Sequence, residues 1–323
     1  MKHRVLGRTL VSVGEIGFGA WAIGGNHVGN SYGPTDDAES RRAVRRAFEL
    51  GCTFFDTADV YGHGKSEELL GAALRDVRDR VILATKVGGN FYNRDVHPLL
   101  AERIAQMVDK PFDQIPPDAP LPATHDSNFS PRYVRFAVER SLKRLGTDYI
   151  DLLQLHNPPL SLISSMDTYA GLEDLKREGK IRWYGVSVHP PEEGLAAVSA
   201  TMPDTVQIVY NLARREAEDE FFPAARAAGI GVIAREPLAN GFLAGKYAWD
   251  STWEKGDIRA RMPRPYVKQM AALGLRVRQL ADKAGTSPAQ LALRFVLEQP
   301  AVSVAIVGMK TERQVDENLG WEA

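Results

Sequence analysis

Four residues with complementary proton chemistry stand at or just after the ends of short apolar runs. Asp56 and Tyr61 lie in FFDTADVYGHGKSEELLG (Phe54–Gly71), Lys86 closes VILATK, and His156 closes YIDLLQLH. A free phenol loses its proton near pH ~10, too high for easy exchange at neutrality. A nearby ammonium stabilises the phenolate and lowers that value, each unit being worth ~1.4 kcal/mol. A carboxylate beside the ammonium keeps it charged and oriented. Tyr61 is therefore expected to protonate an oxygen as negative charge builds on it, and His156 to hydrogen-bond the same oxygen. The reaction that needs a proton on oxygen and no protein nucleophile is hydride addition to a carbonyl, with the hydride brought by a cofactor. Taken singly, Asp56 reads as a turn or capping residue, Tyr61 as packing and His156 as a satisfied structural imidazole. Lys86 is harder to dismiss, because lysine is seldom buried without a partner.

These residues need elements that carry them to one place. Unbroken apolar runs mark strands buried on both faces: Ile16–Ala20, Thr53–Asp56, Val81–Lys86, Ile150–His156, Ile181–Ser187, Val206–Tyr210, Gly231–Arg235 and Val302–Val307. Helical patterns fall between them over Asp37–Leu50, Ser66–Leu74, Pro131–Leu145, Tyr169–Glu178, Asp219–Ala228 and Ser287–Leu297. The third has Ser130 as N-cap, Pro131 at its first position and Gly146 just past its end, each suited to its place. The fold class is α/β, a (β/α)8 barrel over residues 1–323 as one domain, with an open doubly wound sheet as runner-up. Arg4–Val13 reads as an N-terminal hairpin, with Gly7 and Gly14 as turn residues, placed to plug the barrel's bottom. Gly88–Asn128 and Trp249–Pro265 are long insertions on the active face, where such loops are commonly functional.

Composition narrows the partners. Lys plus Arg total 40 and Asp plus Glu 41, so neither nucleic acid nor an anionic membrane surface is an expected partner. No run approaches the length of a membrane span, and the N-terminus has no apolar leader core. The single Cys52 fits a reducing compartment, and the cytoplasm is the expected location. Two motifs mislead. Gly17–Ala22 (GFGAWA) formally satisfies the dinucleotide fingerprint, but loop-like sequence follows where a helix is required. Gly185–His189 (GVSVH) lacks the second glycine of a nucleophile elbow. Asp56, Asp59 and His63 match no standard metal spacing, and no metal is expected.

The chain resembles the aldo-keto reductase superfamily over nearly its whole length. The segments that carry the likeness are LGRTLVSVGEIGFGAW, FFDTADVYGHGKSEELLG, ATKVG, SLKRLGTDYIDLLQLHNP, LKREGKIRWYGVSV, VQIVYN, AREPLANGFLAGKY and VGMKTERQVDENL. The resemblance implies a carbonyl reductase on a (β/α)8 barrel with the tetrad Asp56, Tyr61, Lys86 and His156. It implies NADP(H) as preferred cofactor, NAD(H) being the alternative, and a small carbonyl or alcohol as substrate. By the same resemblance Gly19, Ala20 and Trp21 lie near the nicotinamide ribose, Asp56 also belongs to the cofactor set, and Ser187 and Gln207 hold the carboxamide. Leu238, Gly241 and Leu243 cover the pyrophosphate. Gly308, Lys310, Thr311 and Gln314 surround the adenosine phosphate, and Glu317 and Asn318 the adenine. Trp21, Tyr61, Tyr92 and His156 are expected to line the substrate pocket.

Three positions depart from the family pattern. Val188 stands where an asparagine is common, and Gln314 where a basic residue is common. Arg235 stands where an aromatic ring usually stacks on the nicotinamide, and a planar guanidinium can stack too. Two other functions compete with carbonyl reduction: oxidation of a sugar or alcohol with Tyr61 as base, and a non-enzymatic role of the kind played by channel-associated family members.

Overall fold

A computed structural model of the protein describes residues 1–25, 31–90, 92, 127–164, 166–254 and 256–320. Among them, eight parallel strands close into a barrel: β3 (Ile16–Gly19), β4 (Phe54–Asp56), β5 (Ile82–Val87), β6 (Ile150–His156), β7 (Ile181–Ser187), β8 (Thr205–Val209), β9 (Gly231–Arg235) and β10 (Val302–Gly308), with β10 returning to pair with β3. Each strand falls within one residue of its sequence expectation. The reason is that each is buried on both faces, so its apolar run starts and stops where the sheet does.

A short antiparallel pair, β1 (His3–Val5) and β2 (Ser12–Gly14), precedes the barrel. It crosses the lower end, where Leu6 and Val13 join Phe54, Ile82, Ala84, Leu152, Ile233, Val304 and Ile306 in one buried apolar cluster. Gly7 is a turn residue as expected: its φ is +52°, and a Cβ there would lie 2.1 Å from the Gly231 nitrogen. Gly14 is not. It is the last residue of β2, paired with His3.

The outer helices are α1 (Asp37–Glu49), α2 (Lys65–Leu74), α3 (Pro131–Leu145), α4 (Met166–Arg177), α5 (Pro191–Ala200), α6 (Phe221–Ala227), α7 (Arg264–Ala284), α8 (Pro288–Glu298) and α9 (Glu312–Leu319). Sequence reading names no helix over α5, α7 or α9. In α7 the buried stripe Val267, Met270, Ala271, Gly274, Val277 and Ala281 follows the helical repeat but is diluted by exposed charged residues. α6 starts later than expected because Pro223 lacks the N–H that a helix begun at Asp219 would need there. Among the described residues no helix is long and apolar enough to cross a membrane. The stretch 93–126, most of the Gly88–Asn128 insertion expected on the active face, lies outside the described residues.

Candidate functional site

Side chains two apart on a strand share a face, and the inward face changes character going up the barrel. β4 presents Phe54 and then Asp56, β6 presents Leu152, Gln154 and His156, and β9 presents Ile233 and Arg235. The upper layer is a closed set of polar bonds. Lys86 Nζ, fully buried, donates to Asp56 Oδ1 at 2.5 Å, to the Thr57 carbonyl at 2.9 Å and to Tyr61 Oη at 3.2 Å. Asp56 Oδ2 accepts from Gln154 Nε2 at 3.0 Å and Gln207 Nε2 at 2.9 Å. Gln207 Nε2 also donates to Gln154 Oε1 at 3.0 Å. Ser187 Oγ donates to Gln207 Oε1 at 3.3 Å and accepts from Arg235 Nη1 at 2.9 Å.

Tyr61 reaches this layer from the turn after β4. That turn lies against the one after β3, and a Cβ on Gly62 would stand 2.2 Å from the Gly24 carbonyl oxygen. The contact of two glycines brings the Tyr61 ring alongside Trp21 (centroids 6.0 Å apart) and edge-on to His156 (5.8 Å). The structure thus brings Asp56, Tyr61, Lys86, His156 and Trp21 together. It does not bring Tyr92 to this group. The Tyr92 ring packs on Tyr133 and Phe136 of α3, under the Arg144 guanidinium, in the layer between sheet and helices.

The electrostatics follow from burial. Burial acts most strongly on Lys86, pulling its pKa down, but Asp56 and Tyr61 outweigh it and the ammonium is held above its ordinary value. Tyr61 departs from the sequence expectation. Burial raises the phenol's pKa by more than Lys86 lowers it, so the net shift is upward and the proton is firmly held at neutral pH. Burial, then Lys86 and Arg235, push His156 well below the usual histidine value, which leaves a neutral imidazole. A neutral ring still has one N–H to donate.

Sequence reading missed three supports. Gln154 stands two residues before His156 inside an apolar run, and its inward register was the available signal. Asn157 has a left-handed φ of 52°, and its Oδ1 accepts from Arg235 Nη1 at 3.3 Å and Nη2 at 3.4 Å. Behind Lys86, Glu67 of α2 accepts from Thr85 Oγ1 at 2.6 Å and from Arg144 Nε at 2.6 Å. That buried pair ties β5 to α2 and α3.

Around the rim, Gly19 ends β3 beside Gly308 of β10. Leu238 precedes the turn Ala239–Ala244, in which Asn240 and Gly241 are left-handed. Leu243 points its side chain into a buried cluster with Phe242 and Met270, so only its backbone is left for a ligand. The Trp249–Pro265 insertion folds onto this turn. Asp257 pairs with Arg259 at 2.6 Å, and the Arg259 guanidinium lies over the rings of Tyr32 (5.0 Å), Tyr247 (5.0 Å) and Trp253 (5.6 Å). Lys310 Nζ donates to the carbonyls of Tyr32, Gly33 and Pro34. Its pKa is lowered to about 8 by burial and by Arg259. Thr311 caps α9 by accepting from the Gln314 N–H at 3.2 Å, and Gln314 Oε1 accepts from the Lys310 N–H at 2.7 Å. On α9 itself Asn318 is buried and Glu317 is exposed.

Comparison with known proteins agrees with this geometry. The Aldo/keto reductase family model matches residues 15–322. The chain is 33% identical to the aldo-keto reductase YhdN of Bacillus subtilis, covering 99% of this chain and 89% of that one. Among solved structures it resembles the aldo-keto reductase AKR11C1 from Bacillus halodurans in its holo form, with TM-score 0.72 and 27% identity over 99% of this chain and 90% of that one. It also resembles the glycerol dehydrogenase AKR11B4 from Gluconobacter oxydans, with TM-score 0.73 and 29% identity over 97% and 88%.

Proposed function

The chain belongs to the aldo/keto reductase family, a family of nicotinamide-dependent oxidoreductases, and from that premise we propose that it reduces an aldehyde or ketone to an alcohol with NADP(H), using Tyr61 as proton donor. The observation that carries this reading is the bonded chain Asp56–Lys86–Tyr61, with contacts of 2.5 and 3.2 Å, beside a neutral His156. The nicotinamide, when bound, supplies the hydride. The protein handles the proton. Tyr61 keeps its phenolic proton at neutral pH until a carbonyl oxygen gathers negative charge, then gives it up. Lys86 stabilises the phenolate left behind, and Asp56 keeps Lys86 charged and in place. His156 donates its N–H to the same oxygen and orients the carbonyl.

The residues of the upper layer fit the cofactor. Ser187, the free lone pair on Gln207 Oε1, Asn157 and Arg235 are the groups for the nicotinamide and its carboxamide, with Gly19, Ala20 and Trp21 alongside. The backbone at Leu238, Gly241 and Leu243 serves the pyrophosphate. Gly308, Lys310, Thr311, Gln314, Glu317 and Asn318 serve the adenosine end, where the cation Lys310 favours NADP(H) over NAD(H). Trp21, Tyr61 and His156 are the substrate-facing side chains, and the cytoplasm is the expected location. The reading is tested by following NADPH consumption with a panel of aldehydes and ketones. The likeness to a glycerol dehydrogenase supports a second reading, oxidation of a polyol or sugar with Tyr61 as base. Turnover only with NAD(P)⁺ and alcohols would select it, and no turnover in either direction with cofactor bound would sink both.

A further inference from the structure

Counting charge across the upper layer leaves one group uncompensated. Lys86 and Asp56 form a buried pair, and Tyr61 and His156 are neutral at pH 7. Arg235 is only 8% exposed, yet among the described residues no carboxylate pairs with it. Its bonds go to neutral acceptors, Ser187 Oγ at 2.9 Å and Asn157 Oδ1 at 3.3 and 3.4 Å, and its Nε is buried with no partner. The carboxylates that act on it, Glu236, Asp56 and Glu193, do so only at longer range. The backbone around it is specially shaped: Asn157, which accepts from it, and Glu236, which follows it, both have left-handed φ, 52° and 54°. Burying a cation without a counter-charge is costly, so the position calls for a use.

We propose that Arg235 makes the site discriminate between redox states of the cofactor, binding the reduced form in preference to the oxidised one. This rests on the proposed function, which places the nicotinamide ring among Ser187, Gln207 and Arg235. The oxidised ring carries a formal positive charge and the reduced ring is neutral. A fixed guanidinium beside the ring therefore repels only the oxidised form, and it does so where burial weakens screening. An aromatic residue at the same position would stack on either form without that bias. The consequence is an enzyme that loads with NADPH from a mixed pool and lets NADP⁺ go.

The test compares dissociation constants for NADPH and NADP⁺, by fluorescence quenching or calorimetry without substrate, in the wild type, Arg235→Gln and Arg235→Lys. Wild type should bind NADPH at least tenfold tighter than NADP⁺, equivalent to about 1.4 kcal/mol or a rise of about 30 mV in the two-electron potential of the bound couple. Arg235→Gln keeps a planar hydrogen-bonding end without the charge, and should bring the two constants within about threefold of each other. Arg235→Lys keeps the charge with altered geometry and should retain most of the preference; its melting temperature and that of Arg235→Gln report folding. Equal constants in wild type, or the same ratio in Arg235→Gln as in wild type, overturn the inference while leaving the reductase reading intact. Failure of wild type to bind either form overturns both.

Discussion

The lower and upper halves of the barrel lumen share strands β4, β5, β6 and β9, with their side chains one or two steps apart, and they are held together by different physics. Below, Phe54, Ile82, Leu152, Ile233 and Val304 fill space. Each contributes through area removed from water, roughly 1.5–3 kcal/mol per large side chain, and no single geometry is required. Above, Asp56, Lys86, Gln154, Gln207, Ser187 and Arg235 are joined to one another by hydrogen bonds, with Arg235 Nε left buried and unpartnered. A buried polar set is stable only when satisfied, because an abandoned partner carries its full desolvation cost. The lower half should therefore respond to volume, the upper half to chemistry.

The largest expected effect separates chemistry from stability altogether. Tyr61→Phe removes one oxygen at the edge of the upper layer. Turnover should fall by about 10²–10⁴-fold, with the melting temperature and the dissociation constant for NADPH nearly unchanged. Wild-type turnover in this variant would remove Tyr61 from the proton path. Asp56→Ala probes the layer's foundation. It leaves the fully buried Lys86 ammonium without its counter-charge, and stability should drop by about 3–5 kcal/mol, with turnover lost as well. A loss under 1 kcal/mol in urea unfolding would mean the layer is not the closed bonded set described above. Leu152→Ala, one step lower on β6, should cost about 2–5 kcal/mol through a cavity while the cofactor dissociation constant holds. If cofactor affinity fell with it, the two halves would not be mechanically separate.

The same contrast explains what could be read in the sequence. The lower half is legible because unbroken apolar runs mean doubly buried strands. Asp56, Lys86 and His156 stand out because each interrupts such a run at its end. Gln154 is hidden, since one amide inside LLQLH has no terminal position to mark it, and only strand register turns it inward. The contact of Arg259 with Tyr32 joins loops more than two hundred residues apart by an aromatic face, which leaves no periodic trace. Tyr92 shows the opposite error. Its place at the start of a mouth loop suggested a pocket residue, but a loop's first residues can fold back behind the sheet, and here the ring packs on α3. The rise in the Tyr61 pKa likewise needed the structure, because sequence shows the helpful lysine and not the degree of burial that outweighs it.

The smallest effect tests the electrostatics of the upper half by pH. Burial first, then Lys86 and Arg235, keep His156 neutral well below the ordinary histidine range. An unfolded chain takes up that proton near pH ~6.5. The folded value lies below the unfolded one, so the stability associated with a neutral His156 is fully present above about pH 6.5 and is lost as the pH falls. Over that interval the unfolded state binds one more proton than the native state, a slope of at most about 1.4 kcal/mol per pH unit. His156 keeps a partly exposed edge, which holds the slope below that limit. His189, also lowered, to about 4, by burial and Arg235, is more exposed and should add a shallower slope of the same sign. His156→Gln keeps an N–H donor but cannot titrate. Urea unfolding from pH 7 to pH 5 should show a gentler decline for this variant than for wild type, the difference being His156's share. Parallel declines would mean that water already reaches the imidazole and protonates it in the native state. The upper half would then be a solvated mouth, contrary to the buried bonded layer that distinguishes it here from the apolar half below.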